Sequence, residues 1–502
     1  MKPSRFLLLF GCIVLASLTG TFALTVEIDG INYDINAESQ TAVVVHGNYS
    51  GDVSIMHHIT YLSKDITVTK INYGAFDNTQ ITSLTIDDGV TIDNLPTNCP
   101  QLTDITLPST QEAISGDCNC PKLTSIVIPE GLKTIYNGTF RHATALTSIT
   151  LPSTITSLGI IGSEEMNEIM LADDATSLMV NGGWVTDATG TVLVGGLYSN
   201  VAAGVVIIPD GIEHVQCSFS NLTINHISLP ETLKQMPYFW DCNISTIIRW
   251  PESITTIDKK YFSGHLKGLV IPPTVTAIRE YSLGSMSSYD KLQLDELIFE
   301  DGISPITVGC LFADFYDTGL TTFNSLKRLY LGRNIDFAPE HTTVTSGSIT
   351  WDVTDDCIFG TQYPEVLGIG KYFDCENSFP STVYRSKLDT LAVHKPMPPF
   401  WNPYDISGDR FMATKLIVPI GSKEKFENND WWGKFWEIQE KECAVLAPGD
   451  VTGNDIIDVD DVNEVISMIL NYRSTSGIAD LDGSGIVDID DVNALINCIL
   501  SK

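Results

Sequence analysis

Basic residues are scarce in this chain: Lys and Arg number 29 against 62 Asp and Glu, a formal net charge of −33. Binding to nucleic-acid phosphate calls for a basic face, so the balance excludes nucleic acid as a partner. It suits an exported protein or a calcium-rich setting. Charged residues of both signs make up only 18% of the chain. The polar remainder is heavy in Thr, Ser, Asn and Gly, which favours strands and turns over long helices. Beyond the first 23 residues no apolar run reaches the roughly 18 residues a membrane-crossing helix needs, so no transmembrane anchor is expected. Catalytic motifs are missing too: there is no H-E-x-x-H, no G-x-S-x-G and no Walker-type glycine loop. No two carboxylates form a recognisable acid/base pair, so no catalytic residue is assigned.

What is present begins with an export signal over residues 1–23. Lys2 and Arg5 make a basic head, "FLLLFGCIVLASL" is the apolar stretch, and Ala23 supplies the small residue at the cleavage point. Cys12 opens a lipid-attachment alternative, but Phe10 fits such a site poorly and the apolar run continues past the cysteine. Among the later cysteines, Cys99, Cys120 and Cys242 each stand two or three residues before the same phrase. They read as one structural slot reused, a small buried side chain at a turn. Cys118 and Cys120 form a C-x-C with no second pair at zinc spacing, so no zinc site is expected.

That phrase organises most of the chain. It reads "ITSLTI" from Ile81, "LTDITLP" from Leu102, "LTSIVIP" from Leu123 and "LTSITLP" from Leu146. It returns from Ile224, Ile244 and Leu266, and more loosely from Leu294, Leu326 and Leu388. Alternating apolar positions at a period of roughly 20 to 30 residues mean one short strand per turn of a solenoid. Pro108, Pro129, Pro152, Pro230 and Pro272 end the strand, having no amide hydrogen to give. A second apolar pair follows in each copy, such as Leu132/Ile135, Ile155/Leu158, Leu233/Met236, Ile254/Ile257 and Val275/Ile278, and is expected to point inward from the opposite wall.

These residues resemble the BspA-like leucine-rich repeats of bacterial surface proteins. "GGWVTDATGTVLVGGLYSNVAAGVVIIPDGIEHV" is similar to a strand-hairpin insertion between such repeats, and "KLIVPIGSKEKFENNDWWGKFWEIQE" to the segment that closes such arrays. The resemblance implies a mainly β solenoid and an association with adhesion. The expected boundaries are an N-terminal β cap over 24–80 and the solenoid over 81–446. Phe426, Trp431, Trp432, Phe435 and Trp436 are expected to cover the open end of the coil rather than to stack on sugars. His57 and His58, adjacent in an extended segment, are expected to face opposite sides and to share no metal.

Residues 447–502 are built differently. Counting from Asp450, oxygen-bearing side chains stand at Asp450, Thr452, Asn454, Asp458 and Asp461, positions 1, 3, 5, 9 and 12 of a loop. Asp480, Asp482, Ser484, Asp488 and Asp491 repeat the spacing. At position 7 the backbone carbonyls of Ile456 and Ile486 complete each set. Oxygens at this spacing converge on one hard cation, so two Ca2+ ions are expected, in EF-hand-like loops. Position 6 is Gly485 in the second loop but Asp455 in the first, where a tight turn favours glycine. A helix is expected after each loop. Val462, Val465, Ile466, Ile469 and Leu470 form one apolar stripe, and Val492, Leu495, Ile496, Ile499 and Leu500 its copy.

The duplicated loop-helix unit, with Asp at position 12, resembles a small all-α dockerin domain. The phrase that carries it runs from Gly449 to Val462, and Ala479 replaces its leading glycine in the second copy. The resemblance implies a plug for a cohesin module, in an extracellular or cell-surface assembly that degrades polysaccharide. The residues that choose the cohesin are, by that resemblance, Val459, Asp460, Ile489 and Asp490. The whole reads as a secreted, non-catalytic protein whose solenoid binds a protein or glycan ligand. Its alternatives are a hydrolase whose catalytic groups meet across distant turns, and an adhesin for host or microbial proteins.

Overall fold

The structure, a computed structural model, describes residues 24–279, 282–283, 292–308, 326–337, 342–346, 349–353, 365–376, 414–429, 432–441, 451, 457–470, 479 and 487–500. The expected export signal and the phrase from Leu388 lie outside the described residues.

The chain opens as an antiparallel meander of Leu24–Ile28, Ile31–Asn36 and Thr41–Val44. Alternation decides its faces: Ile31, Tyr33 and Ile35 are buried while their neighbours are half-exposed. Thr41–Val44 then pairs in parallel with Lys64–Ile71. The coil itself starts inside the segment expected to be a cap, because Ser50–Ile55 already pairs in parallel with Gln80–Ile86.

From there the phrase builds one rung per turn. Gln80–Ile86, Asp104–Thr106 and Ser125–Val127 stack in parallel register, with Leu84, Ile105 and Ile126 in line. The second apolar pair forms the facing wall, where Ala113–Ile114, Thr134–Ile135 and Ser157–Leu158 are likewise parallel. Leu132, Ile135, Ile155, Leu158, Leu233, Met236, Ile254, Ile257, Val275 and Ile278 are all buried. Each turn thus closes its core only against the turns beside it, and burial of each such side chain contributes about 1.5–3 kcal/mol.

After residue 200 the rungs form a long sheet. It runs through Tyr238–Arg249, Phe262–Ile271, Leu292–Phe299, Arg328–Leu331, Val366–Ile369, Lys415–Val418 and Glu437–Glu440, all parallel. The rung after Arg328–Leu331 is Val366–Ile369, whose "VLGI" does not match the repeated phrase. Between the halves of the array sits the insertion: Leu178–Asn181, Trp184–Asp187 and Val192–Leu197 form an antiparallel meander. Its last strand rejoins the coil by pairing in parallel with Ile160–Ile161 and His214–Val215.

Local chemistry fixes the turns. Asn98 (φ 55°) and Asp241 (φ 52°) hold left-handed backbone immediately before Cys99 and Cys242. Short polar side chains tolerate that conformation better than most. The Asn98 amide donates to Asn78 at 3.2 Å, and Asn119 donates to Asn98 at 2.7 Å, so the turn amides form a ladder up the coil. Cys99, Cys120 and Cys242 fill the same inward slot, each thiol directed at a backbone carbonyl of the preceding turn. All three are buried and free, as are Cys118, Cys217 and Cys375. Phe219, Phe239 and Phe262 stack through three consecutive turns, with ring centroids 5.2 and 5.5 Å apart.

Near the last rungs, α1 (Lys423–Glu427) packs on a 3-10 turn (Trp432–Lys434) and lies beside Glu437–Glu440. Phe426, Trp432 and Phe435 are buried and join Phe373. Trp436 is the departure, 78% exposed; Trp431 lies outside the described residues. His57 and His58 also depart from expectation. His57 sits at the corner between two strands and His58 opens the second, and their rings touch edge to face with centroids 4.5 Å apart. They are nevertheless committed to different partners, His57 to the Val68 carbonyl and His58 to Asp65.

Candidate metal and docking site

Two helices of equal length end the chain, α2 (Val459–Leu470) and α3 (Ile489–Leu500). They pack on each other around Val465, Ala479, Val487, Val492 and Leu495, with Val451, Ile457, Val462, Met468, Ile469 and Ile499 at the margin of this core.

Each helix starts with a capping box built from the last two acidic positions of the loop. The Asp458 carboxylate accepts the Asp460 amide at 2.8 Å, and the Asp461 carboxylate reaches back to the Asp458 amide at 2.9 Å. Asp488 and Asp491 repeat both bonds at 2.8 Å. This satisfies amides that the first helical turn leaves without intrahelical acceptors, and it sets carboxylates against the positive end of the helix. Asp461 and Asp491 are both 0% exposed. Burying an ionised carboxylate demands compensating charge or several hydrogen bonds. A hard cation held by oxygens fits that demand.

Of the residues expected to bind calcium, the structure thus positions Asp458, Asp461, Asp488 and Asp491 at equivalent places. Asp450, Thr452, Asn454, Ile456, Asp480, Asp482, Ser484 and Ile486 lie outside the described residues. Among the described residues no three His, Cys, Asp or Glu side chains converge on a metal position.

The expected single apolar stripe is corrected in one respect. Val462, Val465 and Ile469, with Val492, Leu495 and Ile499, do face inward or line the margin. Ile466 (37% exposed), Ile496 (38%) and Leu500 (78%) instead lie outside. Consecutive helical residues are separated by about 100°, so a core centred on Val465 leaves Ile466 on the flank. There it shares a face with Val459, two turns earlier, and Ile496 shares one with Ile489. Val459 is 64% and Ile489 63% exposed, and Asp460 and Asp490 are exposed beside them. The signal was in the sequence: the apolar pattern is wider than one face needs. Val487, ahead of the second capping box, and Ala479 were not expected in the core.

A protein-family model described as BspA type leucine rich repeat region matches in six copies, over residues 54–118, 69–165 and 197–311. No curated protein is detectably similar in sequence. Among solved structures, the pneumococcal vaccine antigen PcpA is 13% identical with a TM-score of 0.34, over 70% of this chain and 94% of that one. A leucine rich cell surface protein from Faecalibacterium prausnitzii is 16% identical with a TM-score of 0.28, over 65% and 97%. A leucine-rich repeat protein from Bacteroides ovatus is 19% identical with a TM-score of 0.26, over 69% and 71%. No helix among the described residues is long and apolar enough to cross a membrane, which leaves β-barrels unaddressed. The coil that carries those six copies, mainly β and one strand to a turn, is similar to BspA-type leucine-rich repeats over residues 54–165 and 197–311.

Proposed function

We propose that this is a secreted, non-catalytic binding protein, held outside the cell or at its surface. The solenoid presents a ligand-binding face. Residues 447–502 act as a calcium-dependent dockerin that attaches the chain to a cohesin-bearing scaffold in a polysaccharide-degrading assembly. One observation carries the docking half of this reading. Each helix exposes an aliphatic stripe, Val459 with Ile466 and Ile489 with Ile496, directly beside a buried acidic cap. A small two-helix core that leaves such side chains in water has a surface suited to a partner.

In this reading Asp450, Thr452, Asn454, Asp458, Asp461 and the Ile456 carbonyl hold one Ca2+. Asp480, Asp482, Ser484, Asp488, Asp491 and the Ile486 carbonyl hold the other. Calcium supplies charge and fixed geometry. The chain's own contribution is to anchor each loop to its helix through the capping box, which sets the angle at which Val459–Asp460 and Ile489–Asp490 meet the cohesin. Calorimetric titration of the whole protein against a panel of cohesins, with calcium and with chelator, tests this. Calcium-dependent binding to one class is expected; no binding to any cohesin with calcium present sinks it.

A further inference from the structure

Where the insertion meets the coil, a cleft of about 510 Å³ opens beside the turn that follows Thr134–Ile135. Its walls come from the halves of the array on either side. Asn137 bridges them, accepting the Ile160 amide at 2.8 Å and donating to the Ser220 hydroxyl. The cleft is therefore made by the fold, between elements that the chain itself ties together.

Arg141 is its distinctive group. The guanidinium lies over the Tyr198 ring, its carbon 3.6 Å from the ring centroid. Its Nε is buried with no hydrogen-bond partner. No ion pair engages it among the described residues, although Glu164 and Glu165 line the same cleft and are exposed. The remaining carboxylate, Asp117, is taken by His142, whose Nδ1 lies 2.7 Å from it. In a chain of net charge −33, an arginine stacked on an aromatic and left without a carboxylate presents its fork of donors to something else. That fork matches a planar carboxylate in bidentate fashion.

The rest of the lining narrows the class. No aliphatic side chain lines the cleft, which disfavours an apolar peptide side chain or a lipid tail. Asn221 and Thr144 offer an amide and a hydroxyl, groups that match ring hydroxyls. The glutamates disfavour sulfated or phosphorylated chains, which carry more charge per ring than a uronic acid. The volume suits one or two sugar rings. We propose that the cleft binds a uronic-acid unit of an acidic saccharide, its carboxylate on Arg141 and its hydroxyls toward Asn221 and Thr144. This names a ligand class for the solenoid, and so rests on reading the array as a binding surface; it is independent of the dockerin.

The test is calorimetry of the full chain with tri-galacturonate and oligo-glucuronate, against their methyl esters and neutral counterparts. At least one acid should bind, and its ester at least tenfold more weakly. Arg141→Lys should lower affinity for the acid about tenfold by removing the bidentate fork. Because that variant could also disturb stacking on Tyr198, the exposed pair Glu164→Gln/Glu165→Gln is measured alongside, and should bind the acid several-fold more tightly. Equal binding of acid and ester, no binding of either acid, or an unchanged affinity in both variants overturns the proposal. A neutral saccharide or peptide that binds regardless of Arg141 overturns it too, but leaves the array standing as a binding surface. Retained cohesin binding in the same samples shows that the docking reading does not fall with it.

Discussion

The carboxylate of Asp461 accepts the backbone amide of Asp458 at 2.9 Å, and that of Asp491 accepts Asp488 at 2.8 Å. The same two residues of each unit thus begin a helix and, in the proposed function, complete a calcium shell. The roles are separable. Asp461→Asn keeps an oxygen that can accept the amide but removes the charge; Asp461→Ala removes both. In chelator, Ala should destabilise the helix pair by about 1 kcal/mol as a lost cap, and Asn by less. With calcium, both should lose the first site. Calcium titration followed by circular dichroism on the whole chain checks this, and an Asn variant that binds calcium normally removes Asp461 from the ligand set.

Loop two is expected to bind calcium more tightly than loop one. It offers Asp480, Asp482, Asp488 and Asp491, with Gly485 at the turn, against Asp450, Asp458 and Asp461 with Asp455 there. More carboxylates and an unstrained turn both favour the cation. At a hundredfold excess over its dissociation constant, a ligand bound only by the folded state stabilises it by about 2.7 kcal/mol. Calorimetry of Asp450→Ala and Asp480→Ala decides the order; loss of the tighter site from the first substitution reverses it.

Because the two helix starts present matching surfaces, a cohesin is expected to engage either after about half a turn of the plug. Replacing Val459 and Asp460 alone should then cost little affinity, and Ile489 and Asp490 alone likewise. Replacing all four should abolish binding, since a few central residues carry most of an interface's energy. A large loss from one pair alone means that only one face docks.

The Phe219–Phe239–Phe262 stack predicts where damage spreads. Phe239→Ala should cost about 3–5 kcal/mol through the cavity it leaves. In a solenoid that cost falls on neighbouring turns. Hydrogen exchange should therefore quicken across residues 218–271 and stay unchanged across 80–127. Uniform acceleration along the whole array shows instead that it unfolds as one unit.

Buried thiols and phenols set an alkaline limit. Burial pushes the Cys242 thiol up to about 11, Cys217 to about 12 and Tyr33 to about 12. The folded state thus holds protons that the unfolded chain releases earlier. Their stabilisation is complete below the unfolded values, near 9 for the thiols and 10 for the phenol, and is lost as pH rises towards 11–12. The melting temperature should fall between pH 8.5 and 11, and less steeply in Cys242→Ala. The native chain should resist iodoacetamide at pH 8 at Cys99, Cys120, Cys217 and Cys242; rapid alkylation contradicts the burial.

Sequence alone determined the coil. An apolar residue at every second position, repeated at each turn and closed by a proline, admits only one strand per turn, and the Cys slot and the inward second pair followed from the same spacing. It also singled out the acidic residues of the last two loops, because oxygens at alternate positions are a local pattern. What the tertiary structure decided were matters of neighbours. "VLGI" is a rung because Leu331 and Leu416 lie beside it, not because its own pattern is strong. Ile466 and Ile496 face outward because the opposing helix fills only part of the apolar arc. Arg141 and Tyr198 are far apart in the chain, and only the rejoining of the insertion to the coil stacks one on the other. Periodicity is written locally and can be read from residues in order; a contact between distant turns depends on how the chain closes, which no local spacing records.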